Sequence, residues 1–131
     1  MVGILLVSHS SKIAQGTLEL VEQMTKGKVR IDIAAGTADN RLGTDAGMIK
    51  QKIEKIHSGD GVLVLVDLGS AVMSTELAIE KLDESLRSTT LIADAPFVEG
   101  AVVAALEASF GKSLEEVKKL TEDVKKYSKL G

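Results

Sequence analysis

The sequence predicts an α/β fold in three layers, with helices on both faces of a mainly parallel four-stranded sheet. Short apolar runs alternate with segments of helical period along the whole chain. Two of those runs, Val2–Val7 and Val62–Val66, are apolar almost throughout, as central parallel strands covered on both faces must be. The length of 131 residues, 44% of them apolar and 27% charged, suits a single domain over residues 1–131 built on its own hydrophobic core.

The elements follow in order. After the first strand, a helix places Ile13, Thr17, Val21 and Met24 on one side, with Ala14 and Leu18 beside them. Ser10 or Ser11 caps its first turn, and Lys26-Gly27 closes it. Val29, Ile31 and Ile33 alternate with Arg30 and Asp32, the pattern of a strand nearer the sheet edge. A loop from Ala35 to Asp45 leads to a second helix, with Ala46, Ile49, Ile53 and Ile56 on one face and His57-Ser58-Gly59 at its end. The strand Val62–Val66 runs through Asp67-Leu68-Gly69-Ser70 straight into a helix with Val72, Ile79, Leu82 and Leu86 inward. A fourth strand, about Thr90 to Ala93, precedes Asp94-Ala95-Pro96. The helix from about Val98 to Phe110 is apolar nearly all round, which implies either deep burial or a subunit contact. The last helix opens on a capping box, Ser113 with Glu116, and aligns Leu114, Val117, Thr121, Val124 and Tyr127. Strands and helices in this alternation make right-handed βαβ units.

Composition removes several functional classes. The net charge is −3, no basic block is present, and only Phe97, Phe110 and Tyr127 are aromatic. A nucleic-acid partner needs a cationic surface and is not expected. The absence of cysteine excludes disulfides, thiolate chemistry and Cys-ligated metals, and no metal site or cofactor is expected. Val2–Val7 lacks a basic leader and reads as a strand rather than a signal peptide. No apolar stretch approaches the roughly 20 residues that span a bilayer. The expectation is a soluble, cytoplasmic protein without a membrane partner.

The polar residues converge at one end of the sheet. In an open parallel sheet, ligands sit beyond the carboxyl ends of the strands, where strand order reverses. The two most apolar strands are expected to be central and adjacent. The first is followed at once by Ser8-His9-Ser10-Ser11, the other by Asp67-Leu68-Gly69-Ser70. Both segments open helices, whose first N–H groups are free and whose dipole favours an anion. A histidine held at Nδ1 by Asp67 would present an Nε2 lone pair outward as a nucleophile of fixed tautomer. The N–H groups near Ser10, Gly69 and Ser70 would hold the oxygens of a phosphoryl group, and such transfer asks mainly for positioning and charge stabilisation. Each residue also has a plainer role open to it. His9 can be an ordinary loop polar residue, and Asp67 or Ser70 a helix cap. Gly36, Gly43, Thr44 and Asp45 can form only a turn and a cap, and His57 can merely suit the end of its helix.

Three other classes compete. A response-regulator receiver shares an aspartate after its third strand, but needs an acidic cluster after the first strand and a lysine after a later one, and both are missing. A serine hydrolase using Ser70, His9 and Asp67 lacks the G-x-S-x-G elbow. A phosphate-binding module with no covalent step needs the helix starts but not His9, and stays open.

Four segments carry a resemblance: Val7-Ser8-His9-Ser10-Ser11, Ala34-Ala35-Gly36 with Gly43-Thr44-Asp45, Val66-Asp67-Leu68-Gly69-Ser70-Ala71, and Ala95-Pro96-Phe97-Val98-Glu99-Gly100. In order and spacing they resemble the DhaM family, the phosphocarrier subunits of phosphotransferase-system-dependent dihydroxyacetone kinase, within the mannose-type enzyme IIA superfamily. The resemblance implies that superfamily's fold and a phosphotransferase subunit acting in glycerol metabolism through a phosphohistidine. His9 would accept the phosphoryl group from the histidine-containing phosphocarrier protein and pass it to ADP held on the DhaL subunit, which serves dihydroxyacetone on DhaK. Asp67 would be the orienting partner, and Gly69 and Ser70 phosphoryl contacts. It also implies a homodimer, for which the Val98–Phe110 helix offers a surface. Mannose-type sugar components carry Trp-Gly-Gly-Ser-Pro after the aspartate. Leu68-Gly69-Ser70-Ala71 stands here instead, which favours the dihydroxyacetone branch over that alternative.

Overall fold

The two most apolar runs lie side by side at the middle of the sheet as β1 (Gly3–Ser8) and β3 (Val62–Val66), with Leu6 beside Leu65 and Val7 beside Val66. The computed structural model describes residues 1–131. The alternating strand β2 (Ile31–Ala35) takes the edge next to β1, and the short β4 (Thr90–Ile92) takes the other edge. The order is β2-β1-β3-β4, parallel throughout.

Handedness distributes the helices. The chain leaves β1 for β2 through α1 (Ser11–Thr25), then reverses direction and crosses to β3 through α2 (Ala46–Ile56) and on to β4 through α3 (Gly69–Glu80) and α4 (Glu84–Arg87). Right-handed crossovers in opposite directions put their helices on opposite faces. Accordingly Ile4, Leu6, Leu63 and Leu65 pack with α1, α5 (Phe97–Ser109) and α6 (Leu114–Glu122), whereas Leu5, Val7, Val62 and Val64 pack with α2 and α3. Both layers exclude water from the central strands, whose side chains are buried on either face.

Several helix expectations need correction. On α1 the buried residues are Ala14, Thr17, Val21 and Thr25, while Ile13 and Met24 are exposed. Its apolar arc is wider than the arc that meets the sheet, so the true contact face is rotated away from Ile13 and Met24. On α3 the buried residues are Ala71, Thr75 and Ala78, with Val72 and Ile79 only partly covered. That helix ends at Glu80, and Leu86 belongs to the separate turn α4, because Leu82 is carried into the core by the break. The buried face of α5 is made of small residues, Gly100, Ala101, Ala104, Ala105 and Ala108, which press it against the sheet between α1 and α6, while Val98 and the C-cap residue Phe110 stay exposed. A Cβ at Gly100 would stand 3.0 Å from Leu65 Cδ1, so this helix needs small residues to sit so close. The capping box of Ser113 and Glu116 opens α6 as expected. Beyond Glu122 the chain tightens into a 3₁₀ turn, Asp123–Lys126, and Tyr127 lies outside any helix at 75% exposure, past the region where core lies beneath it.

Candidate active site

Because β1 and β3 are adjacent while the chain leaves them in opposite directions, their carboxyl ends frame the crevice where strand order reverses. His9 follows β1, Asp67 follows β3, and the parallel register sets them side by side. Asp67 Oδ1 lies 3.0 Å from His9 Nδ1 and accepts the Leu68 N–H at 2.7 Å. Asp67 Oδ2 accepts the His9 backbone N–H at 3.0 Å and the Ser8 hydroxyl at 2.9 Å. With donors on both oxygens the carboxylate is fixed, and it fixes the ring in turn. Burial, the largest single influence, favours the protonated acid. The donors His9 N–H, His9 ring, Ser8 hydroxyl and Leu68 N–H together outweigh it and hold the carboxyl below its ordinary 3.8.

The imidazole therefore carries its proton on Nδ1, toward Asp67, and its lone pair on Nε2. Nε2 lies 2.6 Å from Ser70 Oγ, so the hydroxyl donates to it. The His9 side chain is 23% exposed against 11% for Asp67, so the ring is the more accessible of the two.

The start of α3 completes the site. Its N-cap, Leu68, has no side chain able to accept, and no side-chain cap is formed. The Gly69 and Ser70 N–H groups at this helix start thus face outward with the positive end of the dipole. Asp67 is not the cap of this helix, and neither is Ser70, which is its second residue. Ser10 is the N-cap of α1, accepting the Ile13 N–H at 3.3 Å, and its own N–H is engaged by the Ser8 hydroxyl at 3.0 Å. Of the Ser10 donors, the hydroxyl remains available.

The loop between β2 and α2 walls the other side. The Gly36 N–H donates to the Ser8 carbonyl at 3.1 Å and the Gly43 N–H to the His9 carbonyl at 2.9 Å. Thr44 Oγ1 meets Ser74 Oγ on α3 at 2.6 Å, and Asp45 caps α2 through the Gly47 and Met48 N–H groups. A hollow of about 340 Å³ between Val66, Leu68, Val72, Ile92 and Ala95 opens on Asp67 and Gly69. The largest hollow, about 690 Å³, lies at the opposite end of the sheet among Met1, Asp60, Thr89 and Leu114 and contains no site residue. His57 is there too, bonded to Thr89 Oγ1 at 2.7 Å through Nε2 and accepting the Gly59 N–H at Nδ1, which ties down the end of α2.

Ser8 stands in the polar segment after the first strand but its bond to Asp67 is not read from the sequence, and Ser74 is not singled out there at all. Ser74 carries a weak signal, standing one helical turn from Ser70 and so on the same face.

Fold and site define a class: a parallel α/β domain that presents one carboxylate-oriented histidine beside an uncapped helix start. Residues 3–118 match the EIIA-man family, described as the PTS system fructose IIA component. The chain is 42% identical over 117 residues to the phosphoryl donor subunit DhaM of PEP-dependent dihydroxyacetone kinase 2 of Listeria innocua, with 89% of this chain and 94% of that one covered. It is 39% identical to the Escherichia coli DhaM, of which it spans only 25%. A crystal structure of a protein of unknown function superposes with a TM-score of 0.83 at 38% identity over 93% of each chain. The chain belongs to the EIIA-man family and, within it, to the DhaM branch. No helix is long and apolar enough to cross a membrane.

Proposed function

We propose that this chain is the phosphoryl donor subunit of a phosphoenolpyruvate-dependent dihydroxyacetone kinase, working as a phosphohistidine relay. The observation that carries the reading is the imidazole of His9, held by Asp67 at Nδ1 with Nε2 turned to Ser70 and the start of α3. His9 Nε2 attacks the phosphorus of the histidine-containing phosphocarrier protein. The new N–P bond forms as the carrier's N–P bond breaks, its electron pair returning to the carrier's ring nitrogen. The ring keeps its Nδ1 proton, and the Asp67 carboxylate accepts it in a hydrogen bond and balances the positive charge that develops on the His9 ring. Ser70 swings its hydroxyl from Nε2 to a phosphoryl oxygen, and the Gly69 and Ser70 N–H groups and the Ser10 hydroxyl stabilise the remaining negative charge. In the second half-reaction the group passes to ADP on DhaL, and thence to dihydroxyacetone on DhaK.

A metal-free phosphate-binding site would need the helix start alone and would leave the Asp67 grip on His9 without a purpose. Self-association as a homodimer is part of the proposal, and Ile13, Leu20 and Met24, exposed along one stripe of α1, supply an apolar face for it. Sedimentation over a range of concentrations tests that point. The relay itself is tested with phosphoenolpyruvate, enzyme I and the phosphocarrier protein, followed by intact mass. One added phosphoryl group, stable in base, lost in acid and absent from His9→Ala, is expected; no label with active donors overturns the reading. Adding DhaL with ADP then discharges the group.

A further inference from the structure

The contacts of His9 close into a ring that the phosphoryl-acceptor role does not by itself require. The His9 carbonyl accepts the Gly43 N–H at 2.9 Å, and the next residue, Thr44, meets Ser74 at 2.6 Å. One turn back on the same helix, Ser70 donates to His9 Nε2. The Thr44–Ser74 contact is the one side-chain hydrogen bond between the β2–α2 loop and α3. It lies part-buried, whereas the start of α3 has no side-chain cap to hold it.

We propose that the Thr44–Ser74 hydroxyl pair is a positioning device, setting the start of α3, and with it Ser70, against His9 Nε2 without touching the phosphoryl group. The proposal rests on the reading of His9 as the phosphoryl acceptor. Severing the pair leaves a part-buried hydroxyl unpartnered and frees α3 to shift relative to the loop that grips the His9 backbone. Transfer between oriented groups is sensitive to displacements of this kind, whereas the pair adds little to the core.

Phosphoramidate, a small phosphoryl donor that needs no protein docking, isolates this effect. The folded protein is labelled and followed by intact mass, with imidazole ¹⁵N resonances recorded on the unphosphorylated form. Thr44→Val, which keeps the shape but loses the bond, and Ser74→Ala are each expected to slow labelling by about tenfold and to move the His9 Nε2 resonance. Thr44→Ser restores both. The double variant Thr44→Val/Ser74→Ala slows labelling no more than either single change, because the two act through one bond. Wild-type labelling rates in folded Thr44→Val or Ser74→Ala, or losses that multiply in the double variant, overturn the proposal. Should Thr44→Val fail to fold, Ser74→Ala removes the same bond and decides the matter. Failure of the wild-type protein to label at His9 is a separate outcome, and overturns the acceptor reading along with the inference built on it.

Discussion

Asp67 grips His9 twice, at the ring through Nδ1 and at the backbone through the N–H, both at 3.0 Å and each on a different carboxylate oxygen. An amide cannot reproduce this. With its oxygen turned to the ring, the amide of Asp67→Asn would set its NH₂ against the His9 N–H, donor against donor, and force the Ser8 hydroxyl to turn from donor to acceptor. With its NH₂ turned to the ring instead, Nδ1 would have to accept and the proton would move to Nε2, removing the nucleophilic lone pair. Asp67→Asn is therefore expected to cut phosphoryl acceptance by at least about a hundredfold while costing about 1–3 kcal/mol of stability. Labelling rates and urea unfolding measure the two effects. An unchanged rate would reduce Asp67 to a structural acceptor.

The same contacts make stability depend on pH. The Asp67 carboxyl is held below its ordinary 3.8 in the folded protein, so the folded state binds that proton less readily than the unfolded chain does. Its contribution is complete at pH values above 3.8 and is lost as the pH falls through the lower folded value. The part of the wild type's stability advantage over Asp67→Asn that comes from the Asp67 carboxylate should be full well above pH 3.8 and shrink in acid, as read from urea midpoints at successive acidic pH values. An advantage that persisted unchanged into strong acid would mean the carboxylate is not what the donors stabilise.

Ser70 separates capping from chemistry. It is the second residue of α3, holds no helix N–H, and makes its side-chain contact to His9 Nε2 at 2.6 Å. Ser70→Ala should change stability by no more than about 0.5 kcal/mol. It should slow phosphoryl acceptance by about tenfold, because one donor to the developing charge is gone. A large loss of stability with an unaltered rate would assign Ser70 to the fold instead.

Much of this architecture is legible in the residues. Val62–Val66 admits no polar face, which forces it to the centre of a parallel sheet, and the polar residues after it must then lie at the switch point. His9 and Asp67 meet for that reason. The Ser8 and Ser74 contacts are not legible, since they depend on strand register and loop course between residues far apart in the chain. The contact face of α1 is obscured because Ile13, Leu20 and Met24 extend its apolar arc beyond the sheet. The break before α4 is hidden because Leu82 and Leu86 keep the helical period across it.

Stability and chemistry also separate by distance along the strands. Gly61 leads into β3 at the amino end of the sheet, opposite the site, with φ +99°, a conformation that L side chains rarely adopt. A Cβ there would lie 2.8 Å from Leu114 Cδ2 and 2.9 Å from the Thr89 carbonyl oxygen, which accepts the Val62 N–H that aligns β3 with β4. Leu114 can yield, but the carbonyl cannot move without loosening that pairing. Strain and overpacking together put the cost of Gly61→Ala at about 2–4 kcal/mol. Since His9 and Asp67 are positioned by the far ends of β1 and β3, the variant should accept a phosphoryl group at the wild-type rate at temperatures where it stays folded. Urea unfolding beside a labelling time course tests both halves: a cost below about 1 kcal/mol would mean the turn relaxes freely, and a slowed rate in folded protein would mean the two ends of the sheet are coupled.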